Sequence, residues 1–358
     1  MSSWKELKDN PRLKHIYETR LEIVRRIREL FWSKNFVEGD TPIAVRLPSM
    51  EPYLSPVEIN IHDPSGKAFP FFLHTSPEFA LKKLLAAGFP KVFEISKCFR
   101  DYEEFGNTHN TEFTMLQWYR APGEMSDFMD DTEEMFRFVA SRVMNDELRI
   151  KNNGLPSVYH VSCIMYQGKE VDLGGKWNRK TMKEVWKEYV GVSLDDYLTV
   201  DALKSLVEKK GYSTEGLEAY EDLFFKIFLN EVESFLGREK PIFVYNYPTS
   251  LCSLSRICED DPRYAERAEL YIGGLEIANG FGELGDPALQ KKLLEEDRNT
   301  KIRLGKPVWD VDPDFIAALE SGFPKASGIA LGVDRMVMLF TGAHSIDEVI
   351  FQSMNDQV

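Results

Sequence analysis

The sequence is poor in cysteine and has no long apolar run. Its four cysteines include no C-x-x-C pair, so their spacing suits neither a zinc site nor a disulfide framework. Buried thiols in a reducing compartment are the simpler interpretation. No apolar run reaches the length that crosses a membrane, and the N-terminal residues lack the apolar segment of a signal peptide. We therefore expect a soluble, cytoplasmic protein with no membrane partner.

The sequence also lacks an excess of basic residues. It has 44 lysines and arginines against 58 acidic residues, which gives a net charge of -14. Proteins that bind nucleic acid usually carry a basic patch or a basic excess, so tRNA is not the expected partner. An acidic protein would more readily bind a basic protein as its partner. With 358 residues, 43% of them hydrophobic, the chain can form one large α+β domain or two ordinary ones.

Neither internal repeats nor a low-complexity linker divides the chain, so its elements are predicted from periodicity. Apolar residues at helical spacing follow Asn10-Pro11 and predict a helix that ends near Trp32. Ser76-Pro77 is expected to cap the start of another helix. The other predicted elements are strands at 71–75, 91–99, 241–248 and, punctuated by glycines, 271–283, helices at 78–85, 182–189 and 313–321, and a strand that passes into a helix over 327–340.

The segment from about 145 to 240 has a different pattern. A short amphipathic helix is predicted around Met182–Tyr189, and Leu217, Phe224 and Phe228 outline another. We interpret the segment as a mostly helical insertion that covers or flanks a sheet. The sequence leaves its role open.

The stretch from Val92 to Arg120 carries the clearest functional signal. Arg100 ends an apolar run, an acidic loop follows, and His109 and Asn110 lead into a second alternating run. An arginine, a loop with carboxylates and an aromatic residue on the returning strand are typical of a clamp for a nucleoside triphosphate. The pattern therefore indicates activation of a carboxylate by ATP.

The second signal is a pair of carboxylates on a predicted hairpin. Gly273-Gly274 predicts a two-residue turn, which would pair Tyr271 with Glu276 and Glu269 with Ala278. Glu269 and Glu276 would then lie diagonally on one face, where they can bind Mg²⁺ held by phosphates. A charged hairpin that faces solvent is the usual alternative, although the apolar neighbours of these residues speak against it.

The segment FTMLQWYR predicts a strand with two different faces. Phe113, Met115, Gln117 and Tyr119 point to one side. Aromatic, amide and phenol groups on one face suit a small polar ligand with a flat ring attached. A strand buried on both faces would carry the same pattern.

A third signal is the glycine-rich segment from Gly328 to Arg335. Small residues that alternate with apolar ones let a strand approach a ligand closely. Arg335 would lie at a strand-to-helix junction, where a guanidinium can meet phosphates or stack on a purine. A tight contact between a helix and a sheet would need the same small residues.

Together these segments resemble the catalytic domain of class II aminoacyl-tRNA synthetases of the lysyl type, over nearly the whole chain. The first helix with Pro42, the stretch 99–120 and the stretch 328–339 resemble the three class motifs in order. HTSPEFALKKLLAAG, THNTEFTML, GLEIANGF and SGIALGVDR resemble more closely the truncated paralogues that attach (R)-β-lysine to elongation factor P. Ala330 fits the paralogues, because the synthetases have glycine there.

The resemblance implies a fold, an activity and partners. The fold would be α+β, a single catalytic domain over 1–358 with an antiparallel sheet flanked by helices. It would lack an anticodon-binding domain, since only about a dozen residues precede the first helix, and it would form a homodimer. The enzyme would use ATP and Mg²⁺ to activate lysine or (R)-β-lysine as an adenylate and transfer it to a lysine of elongation factor P. Another amino acid, another acceptor such as tRNA or a small amine, or a non-catalytic role in amino-acid binding remain alternatives.

The resemblance also implies roles for individual residues. Arg100 and Arg335 would be catalytic, Phe113 would stack under adenine, and Glu283 with Tyr119 would meet the distal ammonium of the amino acid. The ATP-binding residues would be Arg100, Glu103, His109, Asn110, Phe113, Glu276, Ile277, Gly332 and Arg335. The amino-acid-binding residues would be Ser76, Glu78, Gln117, Tyr119, Asn279, Glu283 and Ala330. The metal ligands would be Glu269 and Glu276.

Two positions depart from the family pattern. The family has glutamate where this chain has Gln117, and a neutral amide there weakens the expected binding of an ammonium group. The loop after Arg100 is one residue longer, so Asp101, Glu103 and Glu104 all remain candidates for the carboxylate that contacts ATP. The identity of the amino acid and of its acceptor is therefore the least defined part of the prediction.

Overall fold

The computed structural model describes residues 4–151 and 163–357, and within these ranges the chain forms thirteen β-strands. The strands are β1 (Val37–Glu38), β2 (Ala44–Val45), β3 (Val57–His62), β4 (Ala68–Leu73), β5 (Lys91–Phe99), β6 (Glu112–Arg120), β7 (Cys163–Tyr166), β8 (Lys169–Asp172), β9 (Asn178–Thr181), β10 (Ile242–Pro248), β11 (Tyr264–Ile272), β12 (Leu275–Gly282) and β13 (Ser327–Gly332).

A sheet of eight strands forms the centre of the fold, in the order β1-β5-β6-β13-β12-β11-β10-β9. Its six inner strands pair antiparallel, while the two outermost strands pair parallel to their neighbours. Smaller sheets join β2, β4 and β3, and β7 with β8. The predicted α+β class with a largely antiparallel sheet is therefore confirmed.

Eleven α-helices lie in the described ranges. They are α1 (Trp4–Asp9), α2 (Pro11–Ser33), α3 (Glu78–Ala86), α4 (Met125–Lys151), α5 (Met182–Tyr189), α6 (Val200–Lys209), α7 (Tyr220–Glu231), α8 (Pro287–Arg303), α9 (Pro313–Glu320), α10 (Val333–Thr341) and α11 (Met354–Gln357). The predicted first helix is confirmed as α2, and the Asn10 side chain caps it by accepting from the amides of Arg12 and Leu13. None of the described helices is both long and apolar enough to span a membrane.

The main core lies on one face of the central sheet. Helices α2, α4 and α10 pack there, and Leu116 and Trp118 of β6 point into the same cluster as Ile27 and Val337. The alternate residues of β6 point to the other face, as the period of a strand requires. The predicted division of β6 into two faces is thus confirmed, and its second face lines a cavity.

The segment 145–240 contains helices α5, α6 and α7, which share a second core in which Trp186 stacks on Phe224. It also contains β7, β8 and β9, which the helical pattern did not predict. Strand β9 pairs parallel with β10 and so extends the central sheet. Residues 152–162 of the predicted insertion lie outside the described residues.

The predicted cap of α3 by Ser76 is wrong. Pro77 occupies the N-cap position, and no side chain hydrogen-bonds to the first turn of the helix. The hydroxyl of Ser76 is buried without a hydrogen-bond partner instead, because the side chain turns toward the cavity.

Candidate active site

A cavity of about 410 Å³ lies over the second face of β6, together with β12 and β13. Two predicted site residues, Glu269 and Glu283, do not line it. The predicted residues that do line it are Ser76, Glu78, Arg100, Glu103, His109, Asn110, Phe113, Gln117, Tyr119, Glu276, Ile277, Asn279, Ala330, Gly332 and Arg335. Neighbouring strands of one sheet thus bring together residues that are far apart in sequence.

Arg335 lies at one end of the cavity, in the first turn of α10. Its Nη1 donates to the carbonyl of Glu276 at 2.7 Å, and its Nη2 lies 3.0 Å from Nε2 of His109. Burial and the positive charge of Arg335 lower the pKa of His109, so a neutral imidazole can accept this hydrogen bond. The guanidinium is held at the cavity wall while still presenting positive charge to it.

Arg100 follows β5 and faces the same end. Its guanidinium lies 5.0 Å from the ring centroid of Phe113 on the adjacent strand, and its Nε is buried without a hydrogen-bond partner. A cation over an aromatic face is a favourable contact. The arrangement offers an anion both a positive charge and an unused donor.

The loop after Arg100 contributes one carboxylate to the cavity wall. Glu103 lines the cavity, whereas Asp101 and Glu104 are exposed and do not line it. Asn110 also lines the cavity, but its amide is hydrogen-bonded to main-chain atoms of Glu112 and Met354. Asn110 therefore anchors the loop and the C-terminal helix in the described geometry.

The hairpin of β11 and β12 differs from its predicted register. Tyr271 pairs with Glu276 as predicted, but Glu269 pairs with Asn279, so the predicted pair of Glu269 with Ala278 is wrong. The register shifts between Leu270 and Tyr271, which leaves Ile277 as an extra residue in β12. Such a bulge cannot be inferred from a turn motif, because the motif sets only the pairs next to it.

The two hairpin carboxylates have different surroundings. Glu269 is buried and accepts hydrogen bonds from Arg267 at 2.6 Å and from the hydroxyls of Tyr247 and Tyr271 at 2.5 Å each. Glu276 presents its carboxylate to the cavity, with 38% of its side chain exposed. Desolvation by the surrounding protein and the negative charge of Glu269 raise the pKa of Glu276. Within residues 4–151 and 163–357, no group of three or more acidic, histidine or cysteine side chains is arranged for a metal ion.

The opposite end of the cavity contains a buried ion-pair network. Nζ of Lys82 lies 2.6 Å from Glu78 and 2.5 Å from Glu283, and Lys82 is only 1% exposed. Glu78 lines the cavity, whereas Glu283 lies behind the wall. Burial raises the pKa of Glu283 to about 8, although Lys82 acts in the opposite direction.

Gln117 and Tyr119 cover this network on the cavity side. Nε2 of Gln117 donates to the Tyr119 hydroxyl at 2.6 Å, and Oε1 of Gln117 is buried without a partner. Asn279 also has an unpartnered side-chain oxygen, and Ala330 pairs with both Gln117 and Asn279 in the sheet. Unpartnered acceptors in a cavity wall indicate a ligand that donates hydrogen bonds.

Comparison with known proteins agrees with this geometry. Residues 3–355 match the family described as tRNA synthetases class II (D, K and N). The chain belongs to this family. The lysyl-type resemblance of the sequence motifs is therefore confirmed at the level of the family.

Relatives within the class II synthetase family divide into two kinds. An elongation factor P–(R)-β-lysine ligase of Hamiltonella defensa is 32% identical, and one of Proteus mirabilis is 34% identical; each match covers 92% of this chain and 92% of the relative. A lysine–tRNA ligase of Magnetococcus marinus is 34% identical over 95% of this chain and 64% of that protein.

The class II cavity also has wall residues that the sequence did not single out. Glu51, Glu221 and Asp297 line it, and burial raises the pKa of Glu221 and of Asp297 to about 7. Glu51 lies on a loop, Glu221 lies in the first turn of α7, and Asp297 lies on α8 among several exposed charged residues. No periodicity or motif separates such residues from surface charges, so only the fold reveals them.

Proposed function

We propose that this class II synthetase relative is an AMP-forming ligase that activates lysine or (R)-β-lysine with ATP and transfers it to a lysine side chain of elongation factor P. One observation carries the proposal. A single cavity has two arginines at one end and, at the other, a carboxylate beside unpartnered acceptors. The names of the relatives that match this chain over nearly their full length supply the amino acid and the acceptor.

The arginine end suits the triphosphate. Arg100 and Arg335 present positive charge toward phosphates, and the Phe113 ring provides an apolar face for the adenine. Glu103 is the loop carboxylate best placed to contact the nucleotide, because it alone of the three candidates lines the cavity.

Of the two predicted metal ligands, Glu276 offers Mg²⁺ an oxygen donor of the preferred type at the cavity wall. Glu269 lies behind the wall, and its oxygens accept hydrogen bonds from Arg267, Tyr247 and Tyr271, so it would act on the cation chiefly through its charge. When bound, Mg²⁺ would neutralise charge on the phosphates.

The reaction proceeds in two displacements. The carboxylate of the amino acid attacks the α-phosphorus of ATP and releases pyrophosphate, while Arg100 stabilises the charge that develops on the phosphate oxygens. The neutral amine of the acceptor then attacks the carbonyl carbon of the adenylate, AMP departs with the electron pair of the broken C–O bond, and the amine loses a proton. The enzyme contributes chiefly by positioning the reactants.

The mechanism requires no nucleophilic side chain. Burial raises the pKa of Cys252 to about 12 and of Cys258 to about 11, and it raises that of Cys98 as well. These cysteines are therefore protonated thiols at neutral pH, and a thiol is a poor nucleophile. This supports direct transfer from the adenylate to the acceptor amine.

The compartment, the oligomeric state and the acceptor of the enzyme are also part of this proposed function. We infer a cytoplasmic homodimer formed through α2, with elongation factor P rather than tRNA as acceptor. The net charge of -14 supports this acceptor, because it disfavours a polyanionic partner.

The proposal is tested by ATP–pyrophosphate exchange across a panel of amino acids, followed by transfer of the labelled amino acid to elongation factor P or to tRNA. We expect exchange with lysine or (R)-β-lysine and label on elongation factor P. The variant Arg100→Ala should lower exchange by about 100-fold, whereas Arg303→Ala, an exposed arginine at the end of α8, should leave it unchanged. No exchange with any amino acid, or label on tRNA alone, would overturn the proposal.

A further inference from the structure

A diamino acid carries two ammonium groups, and each needs a partner when it leaves bulk water for the cavity. Glu78 can pair with one of them, because its carboxylate lines the cavity beside Ser76, although its Oε1 is also paired with Lys82. The second group would be expected to meet position 117 or Glu283. Neither of these supplies a free negative charge at the wall.

Gln117 is neutral, and Glu283 is withdrawn from the cavity. Lys82 lies 2.5 Å from the Glu283 carboxylate, the side chain of Glu283 is fully buried, and Glu283 does not line the cavity. A substrate ammonium would have to displace the Lys82 ammonium from this pair. Breaking a buried ion pair is costly, so the second partner must be sought elsewhere on the wall.

Of the wall carboxylates Glu51, Glu221 and Asp297, Glu51 is linked by hydrogen bonds to the segment that carries Ser76. It lies on the loop between β2 and β3, is partly buried and lines the same cavity. Its Oε2 accepts a hydrogen bond from Ser49 at 2.5 Å, and Ser49 in turn lies 3.1 Å from Thr75, one residue before Ser76. These contacts hold the Glu51 carboxylate at the amino-acid end.

The charges around Glu51 support this placement. Burial and the negative charge of Glu78 raise the pKa of Glu51, whereas the charges of Arg100 and Lys301 lower it. Burial also raises the pKa of Tyr119, and the negative charge of Glu51 contributes to that rise. In the part of the chain that the structure describes, no lysine, arginine or histidine forms an ion pair with Glu51. Nζ of Lys301, whose charge also acts on Glu51, donates instead to the carbonyl of Leu54 at 2.6 Å.

A second observation points to a cationic ligand at the same place. Oε1 of Gln117 has no hydrogen-bond partner, although the residue is only 3% exposed and lines the cavity. An ammonium group has three donors. It can therefore bind a carboxylate and still satisfy an orphaned amide oxygen.

We propose that Glu51 is a specificity-determining residue that pairs with the second ammonium group of a diamino-acid substrate. This inference rests on the proposed function, since it concerns the amino acid that the ligase activates. Glu51 supplies from the loop the charge that Gln117 does not supply from β6. The enzyme thereby prefers a diamino acid over an analogue in which a hydroxyl replaces the distal amine.

The preference is measured by ATP–pyrophosphate exchange with two pairs of probes. Lysine is compared with 6-hydroxynorleucine, and (R)-β-lysine with (R)-3-amino-6-hydroxyhexanoic acid. In each pair the ratio of kcat/KM for amine over hydroxyl reports on the charge that faces the distal group. A general loss of structure or of ATP binding lowers both members of a pair and leaves their ratio unchanged.

Glu51→Gln should lower the ratio at least tenfold while retaining the acceptor for Ser49. The double variant Glu51→Gln with Gln117→Glu should restore it, because the negative charge returns to the cavity wall on β6. Glu58→Gln, which neutralises an exposed glutamate on the adjacent β3, should leave the ratio at the wild-type value. Should Glu51→Gln fail to fold, Glu51→Asp serves instead. The shorter side chain keeps the negative charge but places it farther from the distal ammonium, so the ratio should fall severalfold.

The role of Glu51 would be overturned if Glu51→Gln still supports exchange with a ratio within twofold of the wild type. If only Glu51→Asp folds, the same result in that variant would overturn it. That result would leave the proposed function intact. Absence of exchange by the wild-type enzyme with any amino acid would instead reject the proposed function itself.

Discussion

At the scale of single residues, the cavity is defined by which side chains have partners and which do not. Arg335, Asn110 and Lys82 are anchored by several contacts each. Ser76 and Gln117 retain unused acceptors. The sequence predicted nearly all of these wall residues through motifs, but it could not predict that Lys82 takes up the charge of Glu283, because ion pairing across elements depends on the fold.

Position 117 offers the most direct test of substrate identity. In Gln117→Glu a carboxylate would face the cavity beside Tyr119, and a charged hydrogen bond to an ammonium is stronger than a neutral one. We expect kcat/KM for lysine or (R)-β-lysine in ATP–pyrophosphate exchange to rise about tenfold. An isosteric Gln117→Met variant provides the comparison, and a Glu variant that uses these substrates no better would show that the distal amine does not approach this position.

Asp297 should make stability depend on pH. Burial raises its pKa to about 7 from the ordinary 3.8, although a hydrogen bond from Ser253 opposes the rise. A carboxyl group whose pKa is raised in the folded state favours folding at low pH, and this contribution is lost as the pH rises through the folded pKa. Asp297→Asn should therefore gain stability relative to wild type, by roughly 1–3 kcal/mol, between about pH 4 and pH 8.

Urea unfolding followed across this pH range measures the effect. Glu296→Gln, which neutralises an exposed neighbour on α8, serves as the control and should show no such trend. A constant difference between Asp297→Asn and wild type at all pH values would contradict the assignment.

At the scale of elements, long periodic segments were predictable and short or irregular ones were not. Helix α2 and strand β5 fall within a residue or so of their predicted bounds, because many apolar positions define each. The bulge at Ile277 and the four-residue strands β7, β8 and β9 were missed. A strand of four residues carries too little alternation to identify, and a bulge depends on the partner strand.

The close contact of β13 with β6 depends on Gly328. A Cβ atom at this position would lie 2.1 Å from Cδ1 of Tyr119 and 2.9 Å from the carbonyl oxygen of Trp118. Gly328→Ala should displace the Tyr119 ring, break its hydrogen bond with Gln117 and destabilise the protein by about 1–3 kcal/mol.

Thermal unfolding and the KM for the amino acid test this prediction together, and we expect a lower Tm and a higher KM. Gly285→Ala is a matched control, since its Cβ would lie 3.5 Å from the nearest atom, in ordinary contact. If Gly328→Ala has the Tm and KM of this control, the contact does not hold the ring in place.

At the scale of the whole molecule, charge and surface apolarity suggest how copies associate. Leu21 and Trp32 are 54% and 52% exposed, and their spacing places them on one face of α2. Exposed apolar side chains on one face are typical of an interaction surface, which agrees with the proposed homodimer.

We therefore expect light scattering to give twice the chain mass of 41.3 kDa. Trp32→Glu should shift the mass toward that of the monomer, because it places a charge in the proposed interface. Val200→Glu, which changes an exposed apolar residue on the distant α6, should leave the mass unchanged. A wild-type protein with the mass of one chain would contradict the homodimer.

The order of strands in the central sheet has a consequence for biosynthesis. Strand β13 is made after the other described strands of the central sheet, yet it lies between β6 and β12 and joins the two halves of the sheet. Until residues 327–332 have left the ribosome, β6 and β12 each present an unpaired edge, and exposed edges promote association between chains. The nascent chain therefore presents two strand edges that favour association until β13 has emerged, and the cavity, which includes residues of β13, forms only after that point.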